Sequence, residues 1–396
     1  MSALRHVIAL VLLGLLCGCG QAEPENTAQS TPSDPRLMAK AEALVFQHHY
    51  QRMVKRFVDE QGRVIDHSDE RLISTSEGQS YAMLFALVAN DEALFAKLLE
   101  WTENNLAQGD LTTHLPAWLW GRTSDGQWQI LDDNSASDAD VILAYALLQA
   151  GELWQAPRYR ALGERLAWLI LAREVELIGS HHWLLPGYFG FVDRSEQTVK
   201  LNLSYYALPL LKYFANALGA AEWQQVYESA TTLLNYHQQG FASDWIVLKH
   251  TGELAEQQQA EADYDAIRVY FWWALAAQHD ANAKAQLARF VGVPTAVENL
   301  GSMAQHTNWL TGAYAEHGPI GFSAAVLPLL EQVAPELAAV ERQRVAAMNP
   351  ASYADNYYDT MLLLYGIGAD QGCLNFNASG ELKTDWNNPE CAYVSN

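Results

Sequence analysis

Basic residues are scarce in this chain. Its 396 residues include 24 lysines and arginines against 46 aspartates and glutamates, which gives a formal net charge of −22 at pH 7. A protein that binds phosphate backbones through its general surface needs clustered positive charge. The composition therefore argues against nucleic acid as a partner, but it does not exclude neutral polymers.

The signatures of several common enzyme classes are also missing. The sequence has no Walker loop, no dinucleotide-binding glycine fingerprint and no Gly-x-Ser-x-Gly elbow. The histidine pairs at positions 48–49 and 181–182 are adjacent, which is not the spacing of zinc ligands. Asp138 and Asp140 stand in a run with too few oxygen ligands for calcium. We expect neither a metal nor another cofactor.

The N-terminus resembles a targeting segment. Arg5 is followed by a short apolar stretch, residues 7–16, which is too short to span a bilayer as a helix. This stretch runs into Leu16-Cys17-Gly18-Cys19, which is similar to a bacterial lipoprotein cleavage box. We therefore expect residues 1–19 to be a signal segment with Cys19 lipidated, so that the membrane is contacted only through this anchor. Ordinary cleavage and release into the periplasm is the alternative.

Residues 20–36 are poor in apolar side chains and rich in Pro, Ser, Thr and Glu. Such a composition is typical of a disordered tether. No further linker interrupts the chain, so we expect residues 37–396 to form a single domain. The expected location is the periplasm, with the outer membrane as the site of any lipid anchor.

Cysteine is rare. Beyond the signal segment only Cys373 and Cys391 remain. In an oxidising compartment they could form a disulfide that closes a short C-terminal loop, stabilising the protein by about 3 kcal/mol. Two free, buried thiols are the alternative.

Strand-like alternation is scarce, and helical periodicity dominates from about residue 37. Short β-hairpins are predicted only around residues 126–131 and 183–191. A long all-α unit of repeated helical hairpins suggests one toroid of paired helices, although periodicity alone does not separate it from an α-solenoid or a large bundle. Apolar residues recur every three or four positions in the segments 80–87, 141–153, 159–171, 205–217, 223–236, 267–277, 325–330, 337–348 and 359–366.

Three acidic residues stand at the starts of predicted helices: Glu77 in TSEGQSY, Asp138 in NSASDAD and Asp265 in DYDAIR. Each alone is explained by helix capping. Ser74 with Glu77, and Ser135 with Asp138, fit the capping-box spacing, in which the acid satisfies backbone N–H groups.

Together the three acids allow a second interpretation. In a ring of helical hairpins, the N-terminal ends of the inner helices converge on one face. Hydrolysis of a glycosidic bond needs one protonated carboxyl and one ionised carboxylate across a cleft. A helix N-terminus tends to lower a carboxyl pKa, so Glu77 would need burial, or a neighbouring carboxylate such as Asp138, to keep its proton.

At these residues the sequence resembles glycoside hydrolase family 8. The run ASDAD at 136–140, followed by Ala144, Leu147, Ala150 and Trp154, matches the family signature, with Leu143 as a mild departure. Shorter similarities follow in order from about Phe57 to the C-terminus: GRVID (62–66), TSEGQSYAM (75–83), LPAWLWG (115–121), YDAIRVY (264–270) and GPIGFSAA (318–325).

The resemblance implies an all-α fold, an (α/α)6 barrel made of a toroid of six helical hairpins with short irregular or β-hairpin insertions. It also implies an inverting endo-hydrolase that cleaves β-1,4-glucan (cellulose) in the periplasm and is linked to bacterial cellulose biosynthesis. Glu77 would be the general acid, Asp265 the general base, and Asp138 the residue that holds and distorts the sugar. The Glu77 and Asp265 carboxyls should then stand about 6.5–9.5 Å apart.

Five further residues are implied to bind substrate. Arg268 would orient the Asp265 region, with a plain i,i+3 ion pair as the alternative. Trp118, Trp120, Tyr205 and Tyr357 would provide stacking surfaces for sugar rings, with core packing as the alternative for each. Tyr205 lies in Asn-Leu-Ser-Tyr, where the family usually has proline in place of leucine.

A rival of a different class is a non-hydrolytic periplasmic subunit that binds nascent polysaccharide in a secretion complex. It would need an aromatic groove but not the acids, and the presence of all three acids favours the enzyme. The same chemistry on xylan or chitosan is a further alternative. The expected partner is a β-1,4-glucan, with cellulose synthase or secretion components as additional partners, and the expected state is a monomer.

Overall fold

The computed structural model describes residues 44–349 and 355–393. The predicted signal segment, Cys19 and the tether at 20–36 lie outside the described residues. Within them, no helix combines the length and the apolar character needed to cross a bilayer.

Helices make up about half of the described residues, and two short 3-10 turns lie at Leu203–Tyr205 and Leu287–Phe290. In chain order the helices are α1 (Phe46–Phe57), α2 (Ser76–Val88), α3 (Glu92–Leu106), α4 (Ser137–Leu153), α5 (Pro157–Glu174), α6 (Leu208–Ala217), α7 (Ala221–Leu234), α8 (Ala266–Ala277), α9 (Ala281–Gln286), α10 (Gly292–Leu300), α11 (Ile320–Ala325), α12 (Leu327–Val333), α13 (Pro335–Ala347) and α14 (Tyr357–Asp370).

The helices form two concentric layers. The inner layer consists of α2, α4, α6, α8, the α11–α12 pair and α14, and most of its helices are buried on nearly every side, as expected of helices that are apolar all round. The outer layer consists of α1, α3, α5, α7, the α9–α10 pair and α13. Successive inner helices pack against one another, and the ring of Tyr365 on α14 meets Tyr81 and Phe85 of α2 at 5.0 and 4.8 Å. These contacts close the ring, so the fold is the predicted (α/α)6 barrel rather than an open solenoid.

The predicted helical segments all fall on helices, with two differences. The segment 205–217 begins as a helix only at Leu208, because residues 203–205 form a 3-10 turn. The segment 325–330 is divided between α11 and α12. Pro328 lies in the first turn of α12, and because proline has no backbone N–H it cannot make the hydrogen bond that would continue α11 through this position. Helices α1, α3, α9 and α10 were not predicted.

Short antiparallel strands fill the connections at the rim. They are β1 (Ser74–Thr75), β2 (Leu119–Arg122), β3 (Trp128–Asp132), β4 (Val175–Ile178), β5 (His181–Leu184), β6 (Val192–Asp193), β7 (Thr198–Leu201), β8 (Ile246–Lys249), β9 (Glu261–Ala262), β10 (Ala304–Asn308), β11 (Tyr314–His317), β12 (Asn375–Phe376) and β13 (Leu382–Lys383).

One hairpin prediction is confirmed and one is wrong. Residues 126–131 lead into β3, which pairs with β2. Residues 183–191 do not form a hairpin, since β5 pairs with the preceding β4 and the chain then leaves the sheet. Pro186, which lacks an N–H, and Gly187 and Gly190 make these residues poor partners for a ladder.

The C-terminal segment crosses the C-terminal ends of the inner helices. The Tyr393 N–H donates to the carbonyl of Ala89, just after α2, and the indole of Trp386 stacks on that of Trp154, just after α4. Cys373 and Cys391 form a disulfide that joins the end of α14 to this segment.

Candidate active site

The N-terminal ends of α2, α4 and α8 meet around one side chain, Arg268. Its Nη1 lies 3.0 Å from Glu77 Oε1 and 2.6 Å from Asp138 Oδ2, and its Nη2 donates to Asp265 Oδ1. Glu77 and Asp138 lie in the first turns of α2 and α4, and Asp265 is the residue that precedes α8. Three acids separated by up to 188 positions therefore contact one guanidinium, and Arg268 makes more than the plain i,i+3 ion pair.

The capping-box interpretations of Glu77 and Asp138 are wrong. At α2 the capping hydroxyl is that of Thr75, which accepts from the N–H of Gly78, while the Glu77 carboxyl is directed to Arg268. At α4 the residue before the helix is Ala136, and the Ser135 hydroxyl donates to Glu174 instead of capping. The acids at these helix starts are available for chemistry because tertiary partners and a different hydroxyl replace the caps.

Exposure divides the three acids. The side chains of Arg268 and Asp138 are each only 5% exposed, whereas those of Glu77 and Asp265 are 25% and 24% exposed. Glu77 and Asp265 are thus much more accessible to solvent and to a substrate than Asp138 is. Asp138 lies beneath them and is held by Arg268 and by the N–H of Ala139.

The charge of the cluster favours a proton on one acid, because a single cation faces three carboxyl groups. Burial, together with the nearby charges of Asp138 and Asp265, raises the pKa of Glu77 to about 7, against the opposing effect of Arg268. Burial also raises the pKa of Asp265, and Arg268 and a hydrogen bond from Asn202 oppose that rise. Glu77 is the group best able to hold a proton at neutral pH, while Asp265 keeps donors that favour its ionised form.

Two neighbours of the acids were not predicted as site residues. The Asn202 side-chain amide donates to Asp265 Oδ2 at 3.0 Å and, through its oxygen, accepts from the N–H and hydroxyl of Ser204. The hydroxyl of Tyr81, one turn into α2 from Glu77, lies 2.6 Å from Arg268 Nη1. The Asn-x-Ser-Tyr segment was the available signal for Asn202, whereas Tyr81 in TSEGQSY looked like any buried helical tyrosine.

Trp118 and Tyr205 lie beside the acids. The carbonyl of Trp118 accepts from the N–H of Ser76, next to Glu77, and its own N–H donates to the carbonyl of Asn134 in the loop before Asp138. The Trp118 side chain is one of the exposed large aromatics. Tyr205 places its ring 5.6 Å below the guanidinium of Arg268.

Trp120 and Tyr357 have different surroundings. The Trp120 indole stacks on Trp128 at 5.2 Å, and Arg63 lies 4.4 Å from the Trp120 ring centroid. The Trp120 ring is thus in contact with protein side chains. Tyr357 is buried and meets the edge of Phe57 at 5.5 Å. The structure thus places Tyr357 behind the start of α2 instead of on an open stacking surface. Its neighbour Tyr358 also lies in the environment of the acids, because its pKa is raised by burial and by Glu77, Asp265 and Asp138, against the opposing effect of Arg268.

Within residues 44–349 and 355–393, no group of three or more His, Cys, Asp or Glu side chains has the arrangement of a metal site. Trp272 and Trp273 are buried in α8.

Comparison with known proteins gives a consistent result. The model of the glycosyl hydrolases family 8 matches residues 37–372. An endoglucanase of Escherichia coli (strain K12) is 42% identical over 349 residues, which cover 87% of this chain and 92% of that protein. The crystal structure of an endo-1,4-D-glucanase from Vibrio fischeri ES114 superposes with a TM-score of 0.82 at 39% identity, over 86% of this chain and 99% of the other. An endo-beta-1,4-glucanase from Acetobacter xylinum superposes with a TM-score of 0.69 at 26% identity, over 83% and 99% of the two chains. The chain belongs to the glycosyl hydrolases family 8.

Proposed function

We propose that this protein is an endo-acting glycoside hydrolase that cleaves β-1,4-glucan with inversion at the anomeric carbon. The observation that carries the proposal is the pair of accessible carboxyls, Glu77 and Asp265, held on opposite nitrogens of Arg268, with the pKa of Glu77 raised to about 7. The names of the relatives, an endoglucanase and two endo-glucanases with solved structures, support the choice of substrate.

Each acid has one step in the proposed reaction. Protonated Glu77 donates its proton to the glycosidic oxygen as the bond from that oxygen to the anomeric carbon breaks. Ionised Asp265 accepts a proton from a water molecule whose oxygen forms the new bond to the anomeric carbon from the opposite face. Asp138, ion-paired with buried Arg268, would hold the sugar at the point of cleavage, and Trp118 and Tyr205 would stack on neighbouring rings.

The test is a viscosity and reducing-end assay on carboxymethylcellulose with wild type, Glu77→Gln and Asp265→Asn. Glu341→Gln serves as the control, because Glu341 is also a buried acid but bonds the backbone N–H of Met303. We expect wild type and the control to reduce viscosity rapidly, and each site variant to lose at least about 10²-fold in rate while remaining folded. Wild-type binding of cellulose without hydrolysis of cellulose, xylan or chitosan would contradict the proposal and favour the polysaccharide-binding subunit.

The same digestion distinguishes inversion from retention. Proton NMR in the first minutes should show the α-anomer of the new reducing end before mutarotation. A β-anomer as first product would overturn the assignment of Asp265 as a base, since retention requires a covalent intermediate and carboxyls only about 5 Å apart.

We also propose a periplasmic location, with Cys19 as a lipidated anchor and a link to cellulose synthesis. The disulfide between Cys373 and Cys391 supports an oxidising compartment. Cys19→Ala should move the full-length protein from the membrane fraction to the soluble periplasmic fraction. Unchanged fractionation of that variant would contradict lipidation.

A further inference from the structure

Behind Asp138 lies a second pair of acids that the proposed reaction does not use. Asp140, on α4, and Glu174, the last residue of α5, are both completely buried. Their carboxyl groups are within hydrogen-bonding distance of each other. No donor among the described residues reaches either oxygen of Asp140 or the Oε2 of Glu174.

This arrangement requires a proton. Two ionised carboxylates that are fully buried and pair with no cation among the described residues would repel each other, and neither would have a donor for its free oxygens. A proton on Asp140 gives Glu174 that donor and reduces the buried charge. Burial raises the pKa of Glu174 to about 8, and burial and Glu174 raise that of Asp140 well above its ordinary value. Asp138 is the charged group that faces the pair.

The pair is connected to the active site through Ser135. The Ser135 hydroxyl donates to Glu174 Oε1 at 2.5 Å and accepts the N–H of Tyr188 at 3.0 Å. The preceding carbonyl, that of Asn134, accepts the N–H of Trp118 at 2.7 Å. The segment at residues 134–138, a loop that continues into the first turn of α4, thus joins the buried acids to the backbone of Trp118 at one end and to Asp138 at the other.

The loop is packed too tightly to move without breaking these contacts. The N–H of Ser137 donates to the carbonyl of Pro186 at 3.0 Å. A Cβ on Gly187 would lie 2.3 Å from the carbonyl oxygen of Ser135, so this segment approaches the loop as closely as glycine allows. A change in the length or direction of the Ser135–Glu174 bond therefore has to be transmitted to the neighbours of the loop.

We propose that Asp140 and Glu174 share a proton and act as positioning residues that hold the loop at 134–138, and through it Asp138 and Trp118, in the geometry for catalysis. The assignment of a catalytic consequence depends on the proposed glycosidase function, whereas the shared proton does not. The two parts are therefore tested separately.

The proton is tested by infrared spectroscopy at pH 9, where Glu77 and the exposed acids are ionised. Wild type should show the carbonyl stretch of a protonated carboxylic acid, and the double variant Asp140→Asn/Glu174→Gln should lack it. Equal spectra from two folded proteins would overturn the shared proton, whatever the enzymatic activity proves to be.

The positioning role is tested by two matched serine variants. Ser135→Ala removes the hydroxyl that bonds Glu174 and Tyr188, while Ser137→Ala, two positions further on at the start of α4, removes a buried hydroxyl for which the described residues provide no hydrogen-bond partner. We expect Ser135→Ala to lower kcat/KM by up to about 10²-fold, with a rise in KM because Trp118 shifts, and Ser137→Ala to have little effect. Similar kinetics for the two variants would overturn the positioning role.

A second comparison separates the hydrogen bond from the volume of the side chain. Asp140→Asn keeps an N–H that can donate to Glu174, whereas Asp140→Leu has a similar volume and no donor. The asparagine variant should retain kcat/KM within a few-fold and the leucine variant should not. If Asp140→Leu does not fold, loss of activity in a folded Asp140→Asn would still count against the proposal.

Discussion

At the scale of single residues, the surroundings of Glu77 differ from those predicted by its position at the start of a helix. A helix N-terminus favours an ionised carboxyl, yet burial and the charges of Asp138 and Asp265 raise the pKa of Glu77 to about 7. The helix N-terminus lowers the pKa and burial raises it, and burial is the largest of the causes that set the pKa of Glu77. The packing around Glu77 therefore favours the protonated form that the proposed general acid needs near neutral pH.

This pKa predicts the alkaline side of the pH profile. Only the protonated form of Glu77 can donate to the leaving oxygen, and that form is lost as pH rises through about 7. The kcat/KM for carboxymethylcellulose should accordingly fall about tenfold for each pH unit above that value. A profile that stays level to pH 9 would contradict the role of Glu77.

The acidic limb of the pH profile of kcat/KM should depend on the pKa of Asp265, the proposed general base, and a substitution near Asp265 should shift this limb alone. Asn202→Ala removes a hydrogen bond that favours ionised Asp265, so the pKa of Asp265 should rise and the acidic limb of kcat/KM should move to higher pH. The alkaline limb should remain where it is, because Asn202 does not bond Glu77. A parallel shift of both limbs would indicate a general structural effect.

At the scale of elements, the start of α2 depends on a glycine. A Cβ on Gly78 would lie 2.1 Å from the hydroxyl oxygen of Tyr357 on α14. In an ordinary helix, replacing glycine by alanine stabilises by about 1 kcal/mol. Gly78→Ala should instead destabilise by about 1–3 kcal/mol and lower kcat/KM, because Tyr357 or the first turn carrying Glu77 has to move.

The companion variant Tyr357→Phe removes the atom that causes this clash. Urea unfolding and kcat/KM of Gly78→Ala should therefore be partly restored in Gly78→Ala/Tyr357→Phe. If the double variant is as impaired as the sum of the two single ones, the contact between α2 and α14 is not the cause.

Most helices were predictable because their apolar residues recur every three or four positions. The helices that were not predicted show the limits of this rule. Helix α1 buries Phe46, Tyr50, Met53 and Phe57, which are spaced as one helical face. That signal was present in the sequence, although polar residues between these positions obscured it. The sequence could not show which hydroxyl caps a helix: Ser135 has the spacing of a cap, but its position beside the buried Glu174 gives it another partner.

The meeting of the three acids was predictable only as a consequence of ring closure. Helix starts indicated where Glu77, Asp138 and Asp265 lie along the chain, but not that Arg268 would contact all three. The local sequence pattern also could not predict which aromatic side chains would face the acids. Tyr357 and Tyr358 are neighbours in sequence, yet Tyr357 packs behind α2, where only the charge of Glu77 among the three acids raises its pKa noticeably, whereas all three acids raise that of Tyr358.

At the scale of the whole molecule, the three acids and the C-terminal segment lie at opposite ends of the barrel. The acids lie at the N-terminal ends of the inner helices, whereas the C-terminal segment is bonded near their C-terminal ends. The Trp386 indole donates to the carbonyl of Leu87, and the backbone carbonyl of Glu390 accepts from the N–H of Gln47 on α1. The segment therefore connects the inner and outer layers at the end of the barrel opposite to the three acids.

This separation predicts that loss of the disulfide affects stability and leaves catalysis intact. The bond joins residues 18 positions apart, and the chain-entropy model gives about 3 kcal/mol for a loop of this size. Cys373→Ser/Cys391→Ser should lower the free energy of unfolding in urea by about this amount, while kcat/KM of the folded fraction at 25 °C stays within a few-fold of wild type. A large loss of kcat/KM in the fully folded double variant would contradict this prediction and would show that the C-terminal segment is coupled to the acids through the inner helices. Unchanged stability would mean that the contacts of Trp386 and Tyr393 hold the segment without the disulfide.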